Sequence, residues 1–401
     1  MFKIKSLPLI ALTLCCLQWT TASAQVELTD SIWHNGMYRS YIIHIPPGYT
    51  GTMAYPLVYI LHGGGAGGAQ KVINEHHFDE VADTANYLAV FPNGVFNSWA
   101  DGRGTTDASI AGIDDISFLN ALIDTLEVDY YIDTNKVYIC GGSNGGMMTQ
   151  TMACQSPDKF AAFGTIISSL PDSVAMDCLT TSSTNMLIMN GTEDNLIPYE
   201  GGVIGVSTAG GSVIGTDSTI AFWLDKNGSP NTPDSMSFPD IVTTDNGIVK
   251  LFSYPLGLNG SEVVLFKMIG AGHTVPGQLP NWVQIPLLGY VNRDINAAQE
   301  IWKFFSRHCR NEVVALEEID SDERFMLYPN PAKELVTIRS KNNEPITGTL
   351  KIVDLSGKAL RSILLEGATE QTLNVSGIDE GSYLLYVIIK DWSSALPLII
   401  Q

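Results

Sequence analysis

The sequence predicts an α/β domain, a mostly parallel sheet with helices on both faces, followed by a small all-β sandwich. Three observations carry this reading. From about residue 28 to 310, short apolar runs alternate with stretches of helical periodicity. Several of those runs are apolar throughout, as strands covered on both faces must be. After residue 325 the pattern changes to short alternating segments divided by turn residues, the mark of antiparallel pairing.

Taken in order, residues 1–24 read as an export signal. Lys3 and Lys5 start it, Leu7 to Trp19 is largely apolar, and Ala22-Ser23-Ala24 offers a small-residue cleavage site before Gln25. The apolar run is short for a membrane span. Residues 25–310 form the α/β domain. Its strand-like runs are Leu57–Leu61, Leu88–Phe91, Val137–Cys140, Gly164–Ser168, Met186–Met189 and Glu262–Met268. Between them, residues 112–127 place Ile116, Leu119, Ile123 and Leu126 at helical spacing, and residues 295–308 do so with Ile301, Trp302 and Phe305. Asp114-Asp115 reads as the N-terminal cap of the first of these helices. Residues 311–325 are an acidic, non-periodic linker. Residues 326–401 hold strand-like segments at Leu335–Arg339, Thr349–Asp354, Leu360–Leu365, Gln371–Val375, Ser382–Ile389 and Leu396–Ile400, with turns at Ser356-Gly357-Lys358, Ser376-Gly377 and Glu380-Gly381.

Composition removes several classes of function. Of 401 residues, 45% are hydrophobic and 16% charged, so a wholly disordered chain is excluded. Lys and Arg number 22 against 42 acids, a net charge of −20, or −22 once residues 1–24 are removed. Nucleic-acid binding rests on basic side chains that displace counterions, and this surface repels phosphate. Beyond the N-terminus no run is long enough for a stable membrane span. With Cys15 and Cys16 in the signal, Cys140, Cys154, Cys178 and Cys309 remain in an oxidising compartment. Cys154–Cys178 is the favoured pairing and Cys140 reads as a buried thiol. The spacings do not suit zinc.

The chemistry begins at Gly141-Gly142-Ser143-Asn144-Gly145-Gly146, which follows a strand and precedes a helix-compatible stretch. This is a G-x-S-x-G nucleophile elbow between a strand and a helix: glycines allow the strained turn, and the turn lifts the Ser143 hydroxyl above the sheet. Upstream, the strand Leu57–Leu61 runs into His62-Gly63-Gly64-Gly65, a loop of the kind that supplies an oxyanion-hole amide. Gly63, Gly65 and Gly68 also spell a dinucleotide fingerprint, but the second strand ends in Pro92-Asn93, without the acid that binds a ribose. No cofactor is expected.

Serine needs a base, and the base an orienting acid, in the order Ser, acid, His. Only His273 and His308 lie downstream of Ser143. His308 reads as a surface residue of the last helix, whereas His273 sits in a glycine-rich loop after a strand. The acid is Asp194 in the loop after Met186–Met189, with Glu193 as the fallback. Two residues are candidate pocket walls, His62 and Trp99. His76-His77 with Glu75 and Asp79 has the spacing of a helix face near an entrance, and no metal is expected.

On these residues the region from about Ile32 to Cys309 resembles the secreted polyhydroxybutyrate depolymerases, feruloyl esterases and acetyl xylan esterases grouped as carbohydrate esterase family 1. The shared landmarks are Arg39-Ser40-Tyr41 with Ile45-Pro46-Pro47, Pro56–Gly63, Phe91-Pro92-Asn93-Gly94, Asp114-Asp115 and Gly142–Met148. They continue with Asn190–Gly202, Trp223 and Gly272-His273-Thr274-Val275-Pro276-Gly277. The resemblance implies Ser143, Asp194 and His273 as the triad and the Asn144 and Gly64 amides as oxyanion donors. The chain departs from the family at Val275, often Trp, and at Ser229, often Cys. The tail resembles the type IX secretion sorting domain of Bacteroidota through Tyr328-Pro329-Asn330-Pro331, Asp354-Leu355-Ser356-Gly357-Lys358 and Gly381-Ser382-Tyr383-Leu384. It lacks the usual basic finish. The resemblance implies passage across the outer membrane and removal of the tail.

The expected protein is therefore a secreted serine esterase acting on feruloyl or acetyl esters of plant polysaccharide, or on a polyhydroxyalkanoate-type polyester. Its partners would be the ester substrate and the type IX secretion machinery. The alternatives are a serine peptidase of the same fold and a non-catalytic binding protein on a hydrolase scaffold.

Overall fold

The computed structural model describes residues 26–65, 67–205, 210–255, 257–279, 285–310, 324–353, 359–389 and 392–401. The export signal, the cut before Gln25 and most of the linker lie outside these residues. The chain divides into two compact units, residues 1–310 and 311–401.

The strands of the first unit are β1 (Val26–His34), β2 (Met37–Ile45), β3 (Tyr55–Leu61), β4 (Leu88–Pro92), β5 (Ile132–Gly142), β6 (Ala162–Ile166) and β7 (Met186–Gly191). They continue with β8 (Gly201–Val203), β9 (Ser212–Ile214), β10 (Asp234–Ser237), β11 (Ile248–Tyr254) and β12 (Val263–Ile269). Ten of them form one sheet in the order β1-β2-β4-β3-β5-β6-β7-β12-β11-β10, and β8 pairs with β9 apart from it. The six strands from β4 to β12 run parallel, with antiparallel strands on both edges.

The helices are α1 (Gly68–His76), α2 (Phe78–Ala85), α3 (Asp107–Ile110), α4 (Asp115–Asp129), α5 (Asn144–Gln155), α6 (Asp172–Asp177), α7 (Thr216–Asn227), α8 (Ile285–Leu288) and α9 (Ala297–Phe305). Side chains alternate across a strand, so each apolar run feeds two cores. Leu57, Tyr59 and Leu61 of β3 join Val137 and Ile139 of β5 in a core covered by α4, α5 and α7. Val58 and Ile60 join Tyr138 and Cys140 on the opposite face, covered by α1, α2 and α9. The α/β-hydrolase architecture follows from this doubly covered sheet.

The hairpin β1–β2 was not among the strands read from the sequence. Its turn is Asn35-Gly36, both at positive φ (46° and 84°), a pairing that suits a two-residue hairpin. Asp114 caps α4 through a bond from the Ser117 amide at 3.0 Å. Asp115 does something else. It is buried, accepts from Arg39 Nη2 at 2.6 Å and from the Ala100 amide at 2.7 Å, and so ties β2 to the loop after β4. His308 is not a free surface group: its Nε2 lies 3.3 Å from Glu262 and its ring packs against Phe304.

Cys154 and Cys178 form a disulfide across 24 positions, joining the end of α5 to the segment after α6. Cys140 is a buried free thiol and Cys309 an exposed one. Closing a loop of this length restricts the unfolded chain by about 3 kcal/mol. The Cys154→Ala/Cys178→Ala double variant should therefore unfold at lower urea with an unchanged native circular dichroism spectrum.

The second unit holds β13 (Phe325–Tyr328), β14 (Leu335–Ser340), β15 (Ile346–Val353), β16 (Ala359–Ala368), β17 (Glu370–Asn374), β18 (Gly381–Ile389) and β19 (Trp392–Ile400). A three-stranded sheet β13-β14-β17 and a four-stranded sheet β16-β15-β18-β19 share one core. Val336 and Ile338 of β14 meet Leu350 and Ile352 of β15 and Leu385 and Val387 of β18 there. These pairs are alternate residues of their strands, which share one face of a two-sheet sandwich.

Candidate active site

Strand β5 ends at Gly142 and α5 begins at Asn144, so Ser143 is the turn itself. Its backbone sits at φ 54°, ψ −121°, a strained region for a residue with a side chain. The turn is held by its amide, which donates to the Ile166 carbonyl of β6 at 3.0 Å. The glycines around it are required by space. A β-carbon on Gly145 would run into the carbonyls of Leu61 and His62, and one on Gly146 would come within 2.6 Å of the Ser168 β-carbon. Helix α5 can therefore start against the end of β3 only because these residues have no side chain.

His273 lies beyond β12, in a loop that turns at Gly270 (φ 84°). Its amide donates to the Leu288 carbonyl at 2.6 Å, and the Gly272 amide to the Tyr290 carbonyl at 3.0 Å. The imidazole is nearly buried. Its Nε2 lies 3.1 Å from Ser143 Oγ and its Nδ1 2.7 Å from Asp194 Oδ2. A carboxylate only accepts, so Nδ1 carries the proton and Nε2 faces the hydroxyl as acceptor. The other oxygen of Asp194 accepts from the Leu196 and Ile197 amides, both at 2.8 Å. Glu193 takes no part in these bonds; its amide donates to the Ala271 carbonyl at 2.9 Å.

Gly64 and Asn144 lie together across the mouth of the elbow: a β-carbon on Gly64 would meet that of Asn144 at 3.5 Å. The Asn144 side chain is clamped. Its Oδ1 accepts from the Trp99 amide at 2.8 Å, and its Nδ2 donates to the Trp99 carbonyl at 3.2 Å and to Asp101 Oδ2 at 2.5 Å. Asp101 is fully buried and also accepts from Arg103 Nε at 2.9 Å and Nη2 at 2.7 Å. Neither Asp101 nor Arg103 was picked out from the sequence. They sit in a loop with no periodicity, and only the run Trp99-Ala100-Asp101-Gly102-Arg103 beside a strand end marked it.

The two pocket candidates separate. His62 lines the cavity with both nitrogens occupied: Nε2 accepts from the Gly94 amide at 2.9 Å, so Nδ1 donates to the Gly63 carbonyl at 2.7 Å. Burial lowers its pKa, against the Gly63 hydrogen bond and the Asp115 charge, and it stays neutral. Trp99 is fully buried and does not border the cavity. Its indole N–H donates to the His62 carbonyl at 2.9 Å. Its backbone amide and carbonyl instead brace the Asn144 side chain.

The cavity above Ser143 has a volume of about 440 Å³, within the usual range for a small organic ligand. Met147, Ile167, Ile197, Ile204 and Val275 give it an apolar wall. His76, read from the sequence as part of a helix face near an entrance, borders it. A β-carbon on Gly142 would lie 3.6 Å from His76 Cε1. Its Nδ1 is buried without a hydrogen-bond partner. Burial, with the nearby Lys71 and His77, lowers its pKa to about 4.

Three comparisons bear on this geometry. Residues 326–401 match the model of the secretion system C-terminal sorting domain, and residues 110–165 that of the prolyl oligopeptidase family. The esterase-named NocK of Nocardia uniformis subsp. tsuyamanensis is 30% identical over 167 residues, 41% of this chain and 48% of its own, so the chain spans about half of that relative. The Aspergillus clavatus protein named "Probable feruloyl esterase C" is 30% identical over 207 residues, 49% of this chain and 70% of its own. The chain belongs to the feruloyl esterase family. That family is one of carboxylic ester hydrolases, and the sorting domain of this chain indicates type IX secretion to the cell surface or the extracellular space. Among solved structures, the acetyl xylan esterase from Aspergillus awamori aligns with a TM-score of 0.45 at 13% identity, over 70% of this chain and 99% of that one. No helix among the described residues is long and apolar enough to cross a membrane.

Proposed function

We propose that the chain is a secreted serine esterase in which Ser143 attacks the ester carbonyl, His273 takes its proton and Asp194 orients the imidazole. The observation that carries this is the unbroken relay Ser143–His273–Asp194 opening on a cavity with an apolar wall. The carbonyl oxygen becomes an oxyanion held by the Asn144 and Gly64 amides. The protonated His273 returns its proton to the departing alcohol, leaving an acyl-enzyme on Ser143. Water, activated by the same imidazole, then releases the acid and restores the hydroxyl. The substrates are feruloyl or acetyl esters of plant polysaccharide, or a polyhydroxyalkanoate-type polyester. Residues 1–24 act as the export signal, and the sorting domain takes the protein across the outer membrane of a Bacteroidota-type bacterium.

The test is a panel of methyl ferulate, acetyl xylan and short polyhydroxyalkanoates, assayed beside peptide anilides on the mature protein. Turnover of at least one ester and none of the anilides is the expected result. The match of residues 110–165 to prolyl oligopeptidases favours a peptidase as the second reading, and preferred turnover of the anilides would establish it.

Asp101 acts on this reaction through Asn144. Without the Asp101 carboxylate, Asn144 loses the bond to Oδ2 that braces the start of α5, and its amide drifts from the oxyanion. Asp101→Ala should lower kcat by roughly 10- to 100-fold with little change in KM. A loss confined to KM would remove Asp101 from this role.

A further inference from the structure

We propose that Glu27, His44 and Asp79 form a site for a divalent cation of the zinc class. The register of the β1–β2 hairpin sets Glu27 directly opposite His44. Helix α2, which packs over β2, presents Asp79 and Asp83 one turn apart. A ring nitrogen of His44, a carboxylate oxygen of Glu27 and one of Asp79 all lie within 4.8 Å of one another.

His44 is fully buried, and its Nε2 is committed to Asp83 Oδ1 at 2.8 Å. Asp83 can only accept there, so Nε2 carries the proton and Nδ1 is left with a lone pair. Both that Nδ1 and Asp79 Oδ1 are buried without a hydrogen-bond partner. A buried polar atom left without a partner destabilises the fold, and here two unpartnered acceptors stand beside the carboxylate of Glu27. A divalent cation held by all three would satisfy both acceptors and the Glu27 carboxylate at once. The link from Asp83 to the far nitrogen of His44 is the arrangement by which a carboxylate orients a metal-ligating imidazole.

The donor set fixes the class of ion. One imidazole nitrogen with two carboxylates suits zinc and its first-row neighbours, while calcium and magnesium prefer oxygen alone. The site is separate from catalysis, since none of the three residues borders the cavity above Ser143. Its physical role is a clamp. Most of β1 is exposed, so apolar burial holds this edge strand only weakly. An ion shared by β1, β2 and α2 would fix it to the sheet and to the helix.

The experiment uses the mature full chain, freed of metal with a chelator and then titrated with zinc against a competing colorimetric chelator. The expected result is one zinc per chain and a rise in Tm of about 5 °C at a hundredfold excess over Kd. Glu27 is exposed, so Glu27→Gln keeps the fold; it should weaken binding at least tenfold and remove the Tm rise. Asp79→Asn should do the same. The proposal is overturned if the wild type binds no zinc, if both variants bind it as the wild type does, or if calcium raises the Tm equally.

Discussion

Ser143→Ala is expected to reduce kcat on a reactive ester such as p-nitrophenyl acetate by ~10⁵- to 10⁶-fold, with KM changed little. The size follows from the geometry. The hydroxyl is the only group in the elbow that faces His273 Nε2, at 3.1 Å, so removing it leaves the imidazole with no proton to take and the carbonyl with no covalent partner. In the proposed mechanism what survives is substrate binding and the amides of Asn144 and Gly64, which would hold an oxyanion but do not form one. The variant is a clean test because alanine keeps the β-carbon and the positive φ. The amide bond to Ile166, at 3.0 Å, is a backbone bond and is retained, so Tm should stay within about 1 °C. A fluorophosphonate probe should label the wild type at this serine and leave the variant unlabelled. Equal hydrolysis by both proteins across every ester would end the proposal of a serine esterase at this site.

The parts of this protein legible in its sequence are those where local and tertiary demands coincide. The central strands β3 to β7 and β12 each carry a short apolar run, such as Val137–Cys140 in β5 and Met186–Met189 in β7, because both faces of the sheet are covered there. The elbow was legible for a related reason: Gly145 is fixed by the carbonyls of His62 and Leu61, so space imposes the pattern. The edge strands were not legible. Strand β1 is exposed along most of its length and β10 throughout, so neither carries an apolar run, and each is a strand only because a neighbour pairs with it. The bracing of Asn144 by Asp101 was hidden for another reason. A buried acid in a loop looks like a solvated one until the fold brings Arg103 and Asn144 to it. Trp99 shows the converse error, since an aromatic beside a strand end suits a pocket wall and a buried strut equally well.

The second large effect is expected at Asp194. Asn is nearly the same size, and its consequence turns on which end of the amide faces His273. The Leu196 and Ile197 amides both donate to Oδ1 at 2.8 Å, and two backbone donors require an oxygen there. The side-chain NH₂ of Asp194→Asn must then point at Nδ1, which becomes the acceptor. The imidazole is forced into the tautomer with its proton on Nε2, aimed at Ser143 Oγ, and cannot take the serine proton. The nucleophile stays in place and is not activated. We expect kcat to fall by ~10⁴-fold with KM nearly unchanged, as a wrong-tautomer change does in serine hydrolases generally. The control is Glu193→Gln. Its neighbour's carboxylate already fills the position beside Nδ1, so this variant should stay within about threefold of wild type. The opposite ranking, with Glu193→Gln nearly inactive and Asp194→Asn active, would move the orienting role to Glu193 and mean that the loop after β7 takes another conformation when substrate is bound.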